Sequence, residues 1–284
     1  MTARLLDGEA LAAIIRAEVA EGVARLKDKG VTVGLGTILV GEDVPSSRYV
    51  QMKHQDSAEV GMTSVHEHLP ADVTKAELTA VIDRFNADPT VHAYLVQLPL
   101  PPRLDEEAAL LRVDPTKDVD GLHPVNLGRL VMGRPGLLPC TPAGIVELLS
   151  HYGVQVEGRS VVVVGRGLTI GRPLALLLSL KRPGCNAAVT VVHTGVPDLG
   201  DYVRRAEVVV AAAGRAGLIT ADMVKPGAAV VGAGTSWEGR RLLSDVDEAV
   251  AEVAGWITPR IGGVGPMTRA MLLRNALQAA EGAA

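Results

Sequence analysis

Between Glu9 and Lys29, apolar residues recur at Leu11, Ile15, Val19, Val23 and Leu26. That spacing describes one face of a helix, and Gly30 supplies a stop. Leu35–Val40 then reads as a buried strand, Ser46–Val60 as a helix ended by Gly61, and Thr63–Leu69 as a strand. Thr74–Phe85 reads as a helix and Ala93–Val96 as a strand that stops at Gln97. A Pro-rich stretch from Pro99 to Pro102 and a polar loop from Asp114 to Pro124 break the rhythm. It resumes with a helix at Thr141–His151, a strand at Ser160–Val164, a loop at Gly165–Gly171, a helix at Arg172–Leu180 and a strand at Ala188–Val192. Glu207–Ala213 and Ala228–Gly232 add strands, and Met267–Glu281 a closing helix.

Strands that alternate with helices imply βαβ units and a mainly parallel sheet. The 284 residues suit two domains better than one. The expected fold class is therefore α/β with two α/β domains, the second a Rossmann-type dinucleotide-binding domain, and a cleft between them. The first domain is expected at 1–140, with the final helix at 267–284 packing back on it, and the second at 141–266.

Composition narrows the function classes. Hydrophobic residues make up 48% and charged ones 21%, as in folded globular chains. The net charge of −4 comes from interleaved acids and bases, so no concentrated basic face is on offer for nucleic acid or an anionic membrane. Cys140 and Cys185 lack metal-ligand spacing and read as reduced thiols, and no metal is expected. Acids interrupt the apolar pattern of the first residues, no cleavage signal follows, and no apolar run approaches the ~20 residues of a membrane span. A cytoplasmic location is expected.

The segment VVVVGRGLTIGRP carries the clearest chemistry. Four valines lead into Gly165, Arg166 and Gly167, and Gly171 opens a helix just past Ile170. Glycines here allow a tight turn and close backbone approach to a pyrophosphate, and the helix end offers free N–H groups. The G-x-G-x-x-x-G spacing is one residue longer than the usual fingerprint. An NAD site places an acid at the end of the next strand, to hold the ribose hydroxyls. Here that strand ends in His193 and Thr194, and Arg166 lies in the preceding loop. A cation with hydrogen-bond donors suits a 2′-phosphate, so NADP is the expected cofactor.

In YVQMK, Tyr49 and Lys53 share one helix face, which on its own also fits a solvated surface pair. VQLPLP puts Gln97 just past a strand end, where sites gather in open α/β sheets. PTKDVDGLHP crowds Lys117, Asp118 and Asp120 between two prolines, and GGVGPMT makes a loop from Gly262 to Thr268 before the last helix. A shikimate-type NADP dehydrogenase, or a non-catalytic dinucleotide sensor, would share the glycine loop and need neither YVQMK nor GGVGPMT.

Taken in order with PCTP, KDVDG and KPGA, these motifs cover essentially the whole chain. The sequence resembles the bifunctional methylenetetrahydrofolate dehydrogenase/methenyltetrahydrofolate cyclohydrolase family. The resemblance implies an NADP-dependent oxidation of 5,10-methylenetetrahydrofolate to the methenyl form, followed by hydrolysis to 10-formyltetrahydrofolate, in a homodimer. It also implies Lys53 as the catalytic lysine, Tyr49 as a ring along the folate, Gln97 as the partner of Lys53, Asp120 as the reader of the pterin amino edge and Ser46 as an aid in ordering the lysine. Leu98, Pro99, Gly262 and Gly263 are implied to border the folate. Gly165, Arg166, Gly167, Ile170, Gly171, His193 and Thr194 are implied to hold the cofactor, the Arg166, His193 and Thr194 group at its 2′-phosphate.

Three places depart from the family's pattern. Gly167 stands where serine is common, which removes one phosphate hydrogen bond and keeps the backbone cradle. Ile261 replaces a proline, and Gly232-Ala233-Gly234 stands where a strand end with an Asp is common.

A guanidinium stays charged at any working pH, and a charge-assisted bond to phosphate is worth roughly ten- to a hundredfold in affinity. Arg166→Ala is therefore expected to lower kcat/KM with NADP far more than with NAD, and the preference should shrink at high salt. Equal losses for both cofactors, or a wild-type preference for NAD, would remove Arg166 from cofactor selection.

Overall fold

A computed structural model gives the structure of residues 3–42, 44–239 and 241–283; the side chains at 44–46 and 48 lie outside the described residues. The strands are β1 (Arg4–Leu5), β2 (Gly34–Val40), β3 (Thr63–Leu69), β4 (Ala93–Val96), β5 (Ser160–Val164), β6 (Ala188–Val192), β7 (Val208–Ala211), β8 (Ala229–Gly232), β9 (Thr235–Glu238), β10 (Arg241–Ser244) and β11 (Trp256–Ile257). The helices are α1 (Gly8–Asp28), α2 (Val44–Glu59), α3 (Lys75–Ala87), α4 (Glu106–Arg112), α5 (Pro124–Val131), α6 (Cys140–His151), α7 (Gly171–Ser179), α8 (Leu199–Val203) and α9 (Val264–Ala283). The chain divides into two compact units, one of Ala13–Cys140 with Arg269–Ala284, the other of Met1–Ala12 with Thr141–Thr268.

In the first unit a three-stranded parallel sheet runs β3-β2-β4. All seven residues of β2 are buried, as expected for a central parallel strand covered on both faces. Edge strand β3 instead alternates, its charged and polar positions partly open to solvent. Helix α3 starts with a full capping box between Thr74 and Glu77, and buries Leu78, Val81, Ile82 and Phe85. Two further helices lie beside the interruptions of the sequence rhythm, α4 between them and α5 beginning where the second ends. Asp105 caps α4, and His123 caps α5 with Pro124 at its first position, where the missing N–H costs nothing.

The second unit holds a six-stranded sheet in the order β1-β11-β8-β7-β5-β6, with parallel pairing throughout. Strand order reverses at β5, because β6 lies on one side of it and β7 on the other. In open α/β sheets such a point makes a crevice at the carboxyl ends of the strands. Hairpin β9–β10 stands apart from this sheet. The first twelve residues, read from sequence with the first domain, cluster with this unit. The cause is main-chain pairing: Arg4 and Leu5 align with Trp256 and Ile257, and Leu6 N–H donates to the Ile257 carbonyl at 2.8 Å. Among the described residues no helix is long and apolar enough to cross a membrane.

Gly36, in the middle of β2, has no room for a side chain: a Cβ there would lie 2.7 Å from the Phe85 ring and from Tyr94 Cβ. Overpacking a filled core costs typically about 1–3 kcal/mol. Gly36→Ala is expected to lose that much in denaturant unfolding at unchanged m-value, and an unchanged midpoint would show that the Phe85–Tyr94 contact relaxes freely.

Candidate active site and dinucleotide cradle

Helix α2 brings Tyr49 and Lys53 one turn apart. It is fastened locally, with Ser57 Oγ donating to the Lys53 carbonyl at 2.7 Å. It is also fastened to the sheet, where His54 Nε2 and Thr37 Oγ1 of β2 are 3.0 Å apart. Burial, then His66, then Lys53 lower the affinity of His54 for a proton, which leaves it a neutral strut. Lys53 points the other way into a buried site and is only 4% exposed. Its Nζ donates to Gln97 Oε1 at 3.2 Å and lies 4.9 Å from the centre of the Tyr49 ring.

Gln97 sits where β4 ends. Its backbone N–H donates to the Ile38 carbonyl at 2.8 Å, and its Nε2 donates to the Leu98 carbonyl at 2.8 Å, which turns Oε1 toward the lysine. The Leu98–Pro99 peptide is cis. Burial is the main force that lowers the Lys53 pKa, with Asp120 and then Cys140 pulling the other way. Burial, then Asp120, raises the Tyr49 phenol well above its ordinary range, so it stays neutral.

The two acids of the KDVDG loop have separated roles. Asp118 is buried and occupied: it accepts from His123 N–H at 2.8 Å and from Asn126 Nδ2 at 2.9 Å, and fixes the loop. Asp120 is half-buried, and its charge acts on Lys53, Tyr49 and Cys140. Lys117 turns away and donates to the Phe85 and Asp88 carbonyls, which close the end of α3. Gly121 must be glycine, since φ is +71° and a Cβ would lie 2.4 Å from the Leu138 carbonyl carbon.

Three groups around this site escaped the sequence reading. Cys140, seen only as a reduced thiol, donates to the Val119 carbonyl at 3.2 Å beneath the site, and burial raises its pKa well above the ordinary thiol value. Asn275 of α9 donates to the Val119 and Leu138 carbonyls, each at 2.8 Å. A buried amide in an otherwise apolar helix face was the available signal. Arg269 pairs with Asp56 at 2.9 Å and donates to Met52 Sδ at 2.9 Å, on the helix that carries Tyr49. No local motif announces that pair, because its members are far apart in sequence.

The second unit holds the glycine loop. Gly165 has φ +118°, and a Cβ on it would come 2.2 Å from the Ala212 carbonyl oxygen. One on Gly171 would come 2.3 Å from the Gly165 carbonyl oxygen. Gly167, by contrast, has nothing within 4 Å of its Cβ position, so the absent serine leaves open space. Ile170 precedes α7 and makes no side-chain cap, which leaves that helix end to other acceptors. His193 Nδ1 accepts from Gly195 N–H at 3.0 Å, and its Nε2 lies 3.2 Å from Arg166 Nη1. The guanidinium beside the imidazole offers donors to an anion past the end of β6. Thr194 beside them is exposed.

The remaining expected residues fall as follows. Lys53, Tyr49 and Gln97 are in direct contact, with Asp120, Leu98 and Pro99 in the same unit. Gly262 and Gly263 belong to the other unit, where the Gly262 carbonyl accepts from Glu9 N–H at 2.9 Å. The side chain of Ser46 lies outside the described residues.

A buried lysine site and a strand–glycine–helix cradle on a doubly wound parallel sheet define a two-domain α/β protein of the dinucleotide-binding class. Residues 6–120 match the tetrahydrofolate dehydrogenase/cyclohydrolase catalytic domain, and residues 139–284 match the NAD(P)-binding domain of the same family. The chain is 58% identical over 281 residues to the bifunctional protein FolD of Syntrophotalea carbinolica, which covers 99% of this chain and 97% of that one. Among solved structures, the bifunctional FolD methylenetetrahydrofolate dehydrogenase/cyclohydrolase of Campylobacter jejuni superposes with a TM-score of 0.94, at 42% identity and 98% coverage of both chains. The Trypanosoma brucei methylenetetrahydrofolate dehydrogenase-cyclohydrolase, solved with NADP and an inhibitor, gives a TM-score of 0.93 at 41% identity, over 99% of this chain and 98% of that one. This chain belongs to the tetrahydrofolate dehydrogenase/cyclohydrolase family.

Proposed function

We propose that this protein oxidises 5,10-methylenetetrahydrofolate to 5,10-methenyltetrahydrofolate with NADP, and hydrolyses the product to 10-formyltetrahydrofolate. The observation that carries the reading is the buried Lys53 amine, held by the uncharged Gln97 beside the Tyr49 ring. NADP, when bound, would supply the acceptor for a hydride leaving the methylene carbon. The cation that results is delocalised over two nitrogens and no proton moves, so the chain's part in this step is to orient the folate. Tyr49 lies along the folate, Asp120 accepts from the amino edge of the pterin, and Leu98 and Pro99 border it.

Hydrolysis does move a proton. As water adds to the methenyl carbon, Lys53 in its amine form takes the proton from the attacking oxygen. The carbon–N5 bond then breaks as N5 takes up the proton from Lys53 and the added hydroxyl loses its own proton to solvent, which leaves the formyl group on N10. Burial lowers the Lys53 pKa, and the positive charge of the substrate lowers it further. Gln97 orients the amine without adding a negative charge that would keep it protonated. Arg166, His193 and Thr194 receive the 2′-phosphate, over the backbone cradle of Gly165, Gly167, Ile170 and Gly171. The 13–140 unit with the last helix is the folate domain and the 141–266 segment the NADP domain, in a cytoplasmic homodimer.

Lys53→Met is expected to abolish hydrolysis of supplied methenyltetrahydrofolate, followed by absorbance, while the protein stays folded. In the wild type the rate should rise with pH along an acid limb centred below the ordinary lysine pKa. Hydrolysis above background in the variant would remove Lys53 from the mechanism. Asp120→Ala is expected to raise KM for the folate in both reactions, since one pterin site serves both; an unchanged KM would place Asp120 outside the pocket.

A further inference from the structure

Asp245 is fully buried, at 0% exposure, although no described cation pairs with it. A carboxylate so placed is costly unless it is used. Its Oδ2 accepts from the backbone N–H groups of Ala213 at 2.6 Å and Gly214 at 2.9 Å. Among the described residues Oδ1 has no hydrogen-bond partner. The residue is also pinned by its own main chain, with its N–H on the Gly234 carbonyl at 3.1 Å and its carbonyl accepting from Ile219 N–H at 2.9 Å. Gly234 is what lets it in: a Cβ there would lie 1.9 Å from Asp245 Oδ2.

Ala211 and Ala212 are held by main-chain bonds to the neighbouring strands, whereas the N–H groups of Ala213 and Gly214 both go to the Asp245 carboxylate. The segment reads Ala211-Ala212-Ala213-Gly214, with Gly214 at φ +69°, and leaves the carboxyl end of β7 without an anchoring side chain of its own. Yet it forms the neighbouring wall of the phosphate cradle. Ala212 N–H donates to the Val164 carbonyl at 2.7 Å, and the Ala212 carbonyl oxygen occupies the space where Gly165 would carry a Cβ. Both lie at the reversal of strand order between β5 and β7, where a dinucleotide crosses such a sheet.

We infer that Asp245 is a positioning residue of the dinucleotide site: its carboxylate fixes Ala213 and Gly214, and through them the wall against which Gly165 receives the cofactor. Asp245 does not touch the cofactor and has no part in the hydrolysis. The inference rests on the cradle at Gly165–Gly171 being the NADP site, as proposed above.

The test is a split between the two activities. In Asp245→Ala, KM for NADP should rise roughly ten- to a hundredfold, the worth of the hydrogen bonds to a charged acceptor. The hydrolysis of supplied methenyltetrahydrofolate should stay within about threefold of wild type, because it does not use the cofactor. Asp245→Asn keeps the shape and one carbonyl acceptor for the same two N–H groups, and should keep KM for NADP within about threefold. An unchanged KM in Asp245→Ala, a parallel fall in hydrolysis, or an Asn variant as weak as the Ala one overturns the inference. Arg166→Ala serves as the reference: if it too leaves NADP unaffected, the cradle is misassigned and the inference falls with it.

Discussion

An ammonium group does not stay underground without acceptors, and the Lys53 site is organised around that constraint. The acceptor in contact is an amide oxygen, not a carboxylate. That choice leaves burial as the dominant influence on the amine, with Asp120 as a more distant counterweight. Much of the surrounding unit maintains this balance. Asp118 is kept busy by His123 and Asn126 so that it fixes the loop, Gly121 lets the loop turn under Leu138, and Asn275 collects the stray carbonyls of Val119 and Leu138. His54 and Ser57 hold the helix so that the lysine enters at one angle.

The second unit solves a different problem with fewer side chains. A pyrophosphate asks for bare backbone at close range, and the unit provides it by stacking main chain on main chain: Gly171 on Gly165, and Gly165 on Ala212. Such surfaces carry no side chains to lock them, so their shape is borrowed from elsewhere. The Asp245 carboxylate serves that purpose on one side, and the opening of α7 serves it on the other.

The sequence made legible what depends on local chemistry. Valine strands, the glycine turn and the Tyr–Lys helix face all declare themselves within a few residues. The hidden features are those set by partners far along the chain. Arg269 with Asp56, Asn275 with Val119, and Asp245 with Ala213 each join remote segments, and no periodicity marks them. Helices α4 and α5 went unread because they are short, and prolines and acids there look like loop until the cap is seen. Asp118 and Asp120 are alike in composition; only burial tells the loop-former from the group that keeps its charge available.

Strand β1 has a consequence for how the molecule comes into being. Arg4 and Leu5 are synthesised well before the edge they join, β11, which lies about 250 positions later. At translation speeds of ~5–20 residues per second, the leading segment waits on the order of 10–50 s for its place in the sheet. Throughout that interval the nascent chain carries an unpaired extended segment ahead of α1, a helix whose first residues cluster with the unit that holds β11 and whose remainder clusters with the unit built mainly from Ala13–Cys140. Emergence order and spatial order thus run against each other, and the edge of the finished sheet is sealed by a segment made long before its neighbour.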